Sequence, residues 1–244
     1  DGATSLYGAC EKGHVEAARL LLDKGAGVDR AEKNGATPLF AACLKGHVDA
    51  VLLLLAKAAE IDRADKLGRT PLDAAKHFHH EAVVALLEEH YTAKFPLHAA
   101  AKTGDVDAMA RLIDGGAEVD WADKNGWTPL YIACRSGHID AALLLLVFSA
   151  GVDQANKYGA TPVYAACLKG HVDTARLLLD KGAEVDRAME DGWTPLLVSC
   201  LKGHVDAARL VLEKGAEVDR ANKNGSTPLY SACFEGHVDA AWLL

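Results

Sequence analysis

The sequence has few aromatic residues, no long apolar run and no excess of positive charge. Phe, Trp and Tyr make up 6% of the 244 residues, so we expect a core built mainly from Ala, Leu and Val. The longest apolar run, Ala141 to Phe148, has eight residues, whereas a membrane-spanning helix needs about 20. A net charge of −8 disfavours non-specific nucleic-acid binding, because neutralising phosphates needs clustered Lys and Arg. The sequence therefore predicts neither membrane insertion nor a nucleic-acid partner.

The common catalytic motifs are also missing. There is no Gly-x-Ser-x-Gly, no P-loop and no His-Glu-x-x-His. Acidic residues are plentiful, but most recur at one position of a repeat, whereas a catalytic residue is expected once, in a pocket. The sequence predicts a protein that is not an enzyme and needs no cofactor.

What the sequence does contain is a repeat. All seven prolines are 33 residues apart, except for one spacing of 25, in the series Pro38, Pro71, Pro96, Pro129, Pro162, Pro195 and Pro228. Histidines follow the same period with the same irregularity, and Asp105 takes one place in the series His14, His47, His80, His138, His171, His204 and His237. Proline and histidine thus recur with the same 33-residue period and the same single irregular spacing, which defines about eight repeats. These begin near Gly2, Gly35, Gly68, Ala93, Gly126, Gly159, Gly192 and Gly225.

Each repeat predicts two short helices. Thr37 is a good N-cap, Pro38 suits the first helical position, and Gly46 ends helix one. Helix two begins near His47, and the Asn-Gly pair at 34–35 indicates a tight turn. Helices this short are marginal alone, so each repeat must bury its apolar faces against the next. The predicted fold is an all-α solenoid of stacked antiparallel helix pairs. Short β-hairpin-like loops, here called fingers, lead from helix two of one repeat to helix one of the next.

These features resemble the ankyrin repeat family over essentially the whole chain. The resemblance rests on Gly-x-Thr-Pro-Leu, the Ala-Cys or Ala-Ala pair, Gly-His, the Leu run and Gly-Ala-x-Val-Asp. The usual His after Thr-Pro-Leu is kept only as His98, and the usual Asn after the finger Val is Asp, for example Asp29. The resemblance implies a concave groove, lined by fingers and helix one, that binds proteins.

The spacing of 25 between Pro71 and Pro96 divides the chain. Helix two of repeat 3 is predicted from Glu81 to Glu89, and the eight missing residues correspond to a finger. We expect a first array of three repeats over 1–91 and a second array of five over 92–244, stacked as one continuous solenoid. A bend, or a site where a partner inserts, is the alternative. The last repeat ends in an apolar Trp-Leu-Leu, which caps a solenoid poorly, so we expect a fragment of a longer protein or a repeat covered by a partner.

Cysteines and histidines invite other interpretations. All six cysteines occupy one position of helix one, and stacked helices lie farther apart than a disulfide allows. We therefore expect reduced core thiols and a cytoplasmic protein, with the nucleus as an alternative location. The histidine four residues after each cysteine gives only two ligands, too few for zinc, so we expect it to bond backbone at the start of helix two. The cluster of His77, His79, His80 and His90 is either an exposed irregular turn or a fortuitous metal site.

Exposed positions that vary between repeats are free to specify a partner. Trp127, Tyr158 and Trp193 occupy three successive fingers, and Trp121 stands where most repeats have Arg. Trp, Tyr and Arg are favoured as interface anchors. Positive side chains near these rings favour an acidic or extended peptide. The predicted partner-binding residues are Arg69, Trp121, Lys124, Trp127, Arg135, Lys157, Tyr158 and Trp193. The alternative is that these rings only cover neighbouring finger backbone.

A second anomaly is Leu146-Val147-Phe148-Ser149, where other repeats have Leu-Asp-Lys-Gly. Either Val147 and Phe148 form an exposed apolar contact surface, or local repacking buries them.

The predicted function is a non-catalytic scaffold that binds a protein or an extended peptide. The alternative is a structural accessory subunit of a larger complex, or the regulatory ankyrin segment of a larger enzyme or channel.

Overall fold

A computed structural model describes residues 4–244, which form sixteen α-helices and no strand. Gly2, the predicted start of repeat 1, lies outside the described residues. The chain forms two compact units that divide between Phe95 and Pro96. The all-α fold class is confirmed.

The helices alternate between helix one and helix two of each repeat. The first unit contains α1 (Ser5–Glu11), α2 (Val15–Asp23), α3 (Pro38–Lys45), α4 (Val48–Ala56), α5 (Pro71–His77) and α6 (Glu81–Lys94). The second unit contains α7 (Pro96–Thr103), α8 (Val106–Asp114), α9 (Pro129–Ser136), α10 (Ile139–Val147), α11 (Pro162–Lys169), α12 (Val172–Asp180), α13 (Pro195–Leu201), α14 (Val205–Glu213), α15 (Pro228–Phe234) and α16 (Val238–Leu243).

Within each unit the helices form two layers. In the second unit, helices α7, α9, α11, α13 and α15 pack in succession, and so do α8, α10, α12, α14 and α16. The first unit repeats this arrangement with α1, α3 and α5 against α2, α4 and α6. Leu residues that are fully buried between the layers, such as Leu39 and Leu54 in the first unit and Leu130 and Leu178 in the second, form the cores.

The predicted start and stop signals of helix one are confirmed. The Thr37 hydroxyl accepts the Phe40 N–H at 3.2 Å, and Pro38 occupies the first turn. Gly46 ends α3 in the left-handed region with φ of 73°, where a side chain would be strained. The same Thr cap is found on seven of the eight helix-one segments, at Thr4, Thr37, Thr70, Thr128, Thr161, Thr194 and Thr227.

The role predicted for the repeated histidine is wrong in one respect. His47 is the N-cap residue of α4, but its side chain makes no capping bond to that helix. Its Nε2 lies 3.1 Å from the carbonyl oxygen of Glu11, in the preceding repeat. His138 bonds the carbonyl of Lys102 at 3.0 Å in the same way. A carbonyl only accepts hydrogen bonds, so Nε2 carries the proton, and the histidine joins two repeats.

The same histidine also explains the glycine before it. A Cβ built on the glycine of one repeat would lie 2.6–2.8 Å from the histidine ring of the next. The six pairs are Gly13 with His47, Gly46 with His80, Gly104 with His138, Gly137 with His171, Gly170 with His204 and Gly203 with His237. Each glycine thus meets two requirements, a positive φ and room for a neighbouring ring.

The repeated aspartate of the finger also joins repeats. Asp29 accepts the backbone N–H of Glu60 at 2.9 Å, and Asp186 accepts that of Glu217 at 2.9 Å. Because these carboxylates satisfy backbone donors of the next repeat, their recurrence follows from stacking rather than catalysis.

Repeat 3 differs from its predicted form. Helix α6 continues past the predicted end at Glu89 to Lys94, and α7 begins two residues later at Pro96. Residues 90–94 contain no Gly or Pro, so nothing stops the helix until the chain approaches Pro96. His90 therefore lies on a helix, not in a turn. The array boundary at 91/92 and the continuous stacking of the two arrays remain predictions.

Cysteines of the described chain are all free thiols. Five are buried as predicted, whereas Cys233 is exposed. Burial raises the pKa of Cys10 to about 11 and that of Cys167 to about 12, so these thiols are poor nucleophiles. Across residues 4–244, no group of three or more His, Cys, Asp or Glu is arranged to hold a metal ion. Among the same residues, no helix has both the length and the apolar character needed to cross a membrane.

Candidate partner-binding site

Each finger is a tight turn closed by two backbone hydrogen bonds. In repeat 5, the N–H of Gly126 donates to the carbonyl of Asp123 at 2.8 Å. The N–H of Asp123 donates to the carbonyl of Trp127 at 3.1 Å. Gly126 has a φ of +77°, which only glycine adopts without strain. The buried Asp123 carboxylate accepts the N–H groups of Asn125 and Trp127 at 2.8 and 2.9 Å. These bonds rigidly orient the side chains at the finger tip.

Successive fingers of the second unit are joined through their backbones. The carbonyl of Asn125 accepts the N–H of Lys157 at 3.0 Å, and that of Tyr158 accepts the N–H of Glu190 at 2.9 Å. A Cβ on Gly126 would lie 2.9 Å from the Lys157 nitrogen, so glycine is also needed for this close approach. Equivalent finger positions therefore lie in a row, and the aromatic side chains of repeats 5 to 7 share one edge.

One part of this row is a stack of three side chains in repeat 5. Trp127, at the finger tip, stacks on Tyr131 of α9 with ring centroids 5.9 Å apart and planes inclined by 15°. The Arg135 guanidinium, one turn further along α9, lies 5.1 Å from the Trp127 ring centroid. Among residues 4–244, Arg135 has no ion-pair partner. The stack therefore presents a half-buried indole and a cation that is not neutralised.

The next finger presents Tyr158 and Lys157. The Lys157 ammonium donates to the Asn125 side-chain oxygen at 2.6 Å and lies 5.0 Å from the Tyr158 ring centroid. Lys157 thus links its finger to the preceding one and holds the Tyr158 ring, which is half-buried. Its role includes positioning as well as contributing charge.

Trp193, Trp121 and Lys124 complete the predicted set in this unit. Trp193 is half-buried against the core, and the helix positions equivalent to Tyr131 and Arg135 are Leu197 and Leu201. Trp121 is 45% exposed, and its ring meets the buried His98 edge-on at 6.0 Å. Lys124 is exposed. Trp193 therefore offers an apolar surface, in contrast to the cationic stack at Trp127.

Arg69, the remaining residue of the predicted set, lies in the first unit and is described by itself. Its guanidinium makes two hydrogen bonds to the Asp65 carboxylate, at 2.9 and 2.6 Å, and lies 5.5 Å from the Phe40 ring centroid. Its charge is paired within its own finger. The site described for the second unit is built without it.

The tyrosines near the stack stay neutral. Burial raises the pKa of Tyr131, with Arg135 opposing and Asp123 adding to the rise. Burial also raises the pKa of Tyr164, with a further rise from the Asp191 charge. At neutral pH both are uncharged rings, and Tyr131 serves as the base of the Trp127 stack.

The predicted site lacks Tyr131, although the spacing of residues in the sequence indicates it. Tyr131 and Arg135 are four residues apart on α9, the spacing that brings side chains together along a helix face, and Trp127 precedes Tyr131 by the same interval. The interpretation that these rings only cover finger backbone remains open as an alternative, since Trp127, Tyr158 and Trp193 are all half-buried.

Comparison with known protein families agrees with this architecture. The family model described as ankyrin repeats (3 copies) matches residues 1–65, 72–156, 97–189 and 185–244. A search of curated proteins finds no relative that matches the sequence. Because the family matches cover nearly the whole chain and the helix pairs stack as the repeats require, the chain belongs to the ankyrin repeat family.

Proposed function

We propose that this chain is a non-catalytic protein-interaction module that binds a protein or extended peptide along the finger row of repeats 5 to 7. Ankyrin repeats are generally protein–protein interaction modules. The observation that carries the proposal is the stack of Trp127, Tyr131 and Arg135. An aromatic ring and an Arg already held in place are the anchor types that dominate interface energetics.

The chemistry of the row favours an acidic segment with apolar side chains. Arg135 supplies positive charge beside Trp127, whereas Trp193 lies two repeats further along beside leucine positions. Successive repeats are spaced by about 8–10 Å, so a bound segment would place an acidic group and an apolar group about 16–20 Å apart. Extended chain covers this distance in about six residues.

Binding along this row needs little rearrangement. The fingers are fixed by the hydrogen bonds within and between them, so the ordering cost of association falls mainly on the partner segment. Buried, reduced thiols support an intracellular location for such a module.

The test is selection of ligands from a phage-displayed random peptide library by the immobilised chain. We expect acidic peptides containing aromatic or aliphatic residues. Trp127→Ala and Trp193→Ala should each weaken their binding by about 30-fold, and the two combined by up to about 1,000-fold, if each ring contributes about 2 kcal/mol. Affinities are measured by isothermal titration calorimetry.

The matched control is Leu67→Ala combined with Arg69→Ala, which alters a finger of the first unit. This control should bind the selected peptides like the wild type, and both variants should keep the wild-type far-UV circular dichroism. Equal binding of the peptides to the double-Trp variant would contradict the site assignment.

A further inference from the structure

The outer face of α10 is apolar where the neighbouring helices are charged. Leu143, Val147 and Phe148 are 41%, 67% and 41% exposed, so the interpretation that repacking buries Val147 and Phe148 is wrong. Repeat 6 has Arg176, Asp180 and Lys181 at these three positions. Where repeat 6 has three charged surface residues, repeat 5 therefore has a continuous apolar surface.

In other repeats, two of these positions form ion pairs between neighbours. Lys57 pairs with Asp23 at 3.0 Å, and Lys214 pairs with Asp180 at 2.7 Å, each across 34 residues of sequence. The same spacing of 34 relates Asp114 to Phe148 and Val147 to Lys181. Val147 and Phe148 thus remove one member from each of two successive ion pairs.

The remaining members of those pairs lie on the two helices beside α10. Asp114 ends α8, and Lys181 follows directly after α12. Both helices pack against α10, and both residues are exposed. Neither has an ion-pair partner in the part of the chain that the structure describes. The apolar surface therefore has a negative charge on one side and a positive charge on the other.

This arrangement is complementary to itself. A two-fold rotation about an axis in the plane of contact, inclined by a small angle to α10, places the α8 side of one copy against the α12 side of the other. Asp114 of each copy then faces Lys181 of the other, and Val147 meets Val147. A two-fold contact uses one surface twice, so a single dimer restores both ion pairs.

We propose that α10 is a self-association surface, on which a second copy of this chain packs through Leu143, Val147 and Phe148. The helices cross near Val147, so their N-terminal ends diverge, which separates Asp107 from Asp173 of the second copy. The contact extends over one nine-residue helix and its two neighbours, so the buried area falls below the roughly 1,200 Å² of a standard interface. The dimer is consequently weak and forms only at high protein concentration.

The first test measures the monomer–dimer equilibrium of the full chain by sedimentation equilibrium. The triple variant Leu143→Arg, Val147→Asp and Phe148→Lys gives repeat 5 the residues that repeat 6 carries at the same positions, so its fold should be preserved. We expect a concentration-dependent dimer for the wild type and only monomer for the variant. A matched control, Leu52→Arg on the corresponding exposed position of α4, should dimerise like the wild type.

The second test addresses the charges. Asp114→Lys and Lys181→Asp should each weaken the dimer by about tenfold or more, because each places like charges in contact. The two changes combined should restore the wild-type constant, since the pairs reform with opposite polarity. A wild type that stays monomeric would overturn the proposal, as would a triple variant that dimerises normally or a combined variant that stays weakened.

Discussion

Both compact units place a guanidinium over an aromatic ring. One unit carries the ring on helix one and the cation on a finger, and the other unit carries them the other way round. In the first unit the ring is Phe40 of helix α3 and the cation is the finger residue Arg69. In the second unit the ring is the finger residue Trp127 and the cation is Arg135 of α9. Phe40 is 3% exposed and Arg69 is paired with Asp65. The first arrangement is closed, whereas the second leaves a ring and a charge accessible.

This difference separates the positions that hold the stack from those that vary. The threonine caps, the glycine–histidine contacts and the finger carbonyl bonds recur in both units. The finger tips and the outer face of helix two do not. Function is therefore to be sought where the units differ, and stability where they agree.

The largest effect should come from filling the space that a histidine occupies. Gly46→Ala in the first unit and Gly170→Ala in the second each place a Cβ within 2.6–2.8 Å of a His ring at a φ near +70°. We expect each to lower the free energy of unfolding by about 2–4 kcal/mol, from backbone strain and overpacking combined. Gly236→Ala is the matched control, since it has a φ of +76° but no atom within 4 Å, and it should cost about 1 kcal/mol.

Tryptophan fluorescence separates the two units in this experiment, because all four tryptophans lie after residue 95. Gly170→Ala should lower the unfolding midpoint seen by fluorescence, whereas Gly46→Ala should act mainly on the midpoint seen by circular dichroism. Equal shifts of both signals in both variants would mean that the units unfold together. The stabilities of the two units could then not be compared separately.

A smaller effect is expected when the first unit is made to resemble the second by freeing Arg69. Asp65→Asn removes the ion pair but keeps the backbone bonds, since Asn156 accepts the same two N–H groups at 2.9 and 3.0 Å in repeat 6. Burial pushes the pKa of Asp65 up, but hydrogen bonds from Arg69 and from backbone N–H groups outweigh this and leave the pKa below its ordinary value. We expect a loss of about 1 kcal/mol at neutral pH.

The pH dependence of that variant has a definite sign. A lowered pKa in the folded state stabilises the protein above the ordinary pKa of the carboxyl, and the stabilisation disappears as the pH falls through the folded value. The difference between wild type and variant should therefore vanish once the pH is below the folded pKa of Asp65. A difference that persists there would show that the ion pair is not its source.

The smallest effect should come from the exposed ion pairs between helix-two segments. Asp180→Asn in the second unit and Asp23→Asn in the first remove equivalent contacts to Lys214 and Lys57. The hydrogen bond from Lys214 lowers the pKa of Asp180, so its contribution is present at neutral pH and lost in acid. Both variants should shift the thermal midpoint slightly and equally, and about 1 M salt should remove the shift. Unequal shifts would indicate that the two helix-two layers differ.

The sequence predicts most helix boundaries because their signals are local. Thr37 and Pro38 specify a helix start within four residues, and Gly46 specifies its end. The predicted end of α6 at Glu89 is wrong because it assumes the nine residues that helix two has in most other repeats. No Gly follows Glu89 to stop the helix, and that absence was the available signal.

Contacts between repeats are less accessible to sequence reasoning. The bond from His47 to the Glu11 carbonyl joins residues 36 apart, and a backbone acceptor leaves no trace in the sequence. The aromatic finger residues can be predicted because they vary between repeats. The sequence does not show that the guanidinium of Arg135 lies over the Trp127 ring. The hydrogen bonds that pair Arg69 with Asp65, four residues away, are likewise evident only from the geometry of the finger.

The glycine–histidine contact has a consequence for how such a chain grows. Each repeat has a glycine that leaves room for the histidine of the next repeat, and a histidine that fits against the glycine of the preceding one. Copying a whole 33-residue block therefore reproduces this contact at both new junctions. Repeats 3 and 4 are exceptions, because His79 replaces the glycine of one and Asp105 the histidine of the other. Gene duplication can therefore insert blocks within repeats 1 to 3 or within repeats 4 to 8, where the glycines contact the histidines of the next repeat.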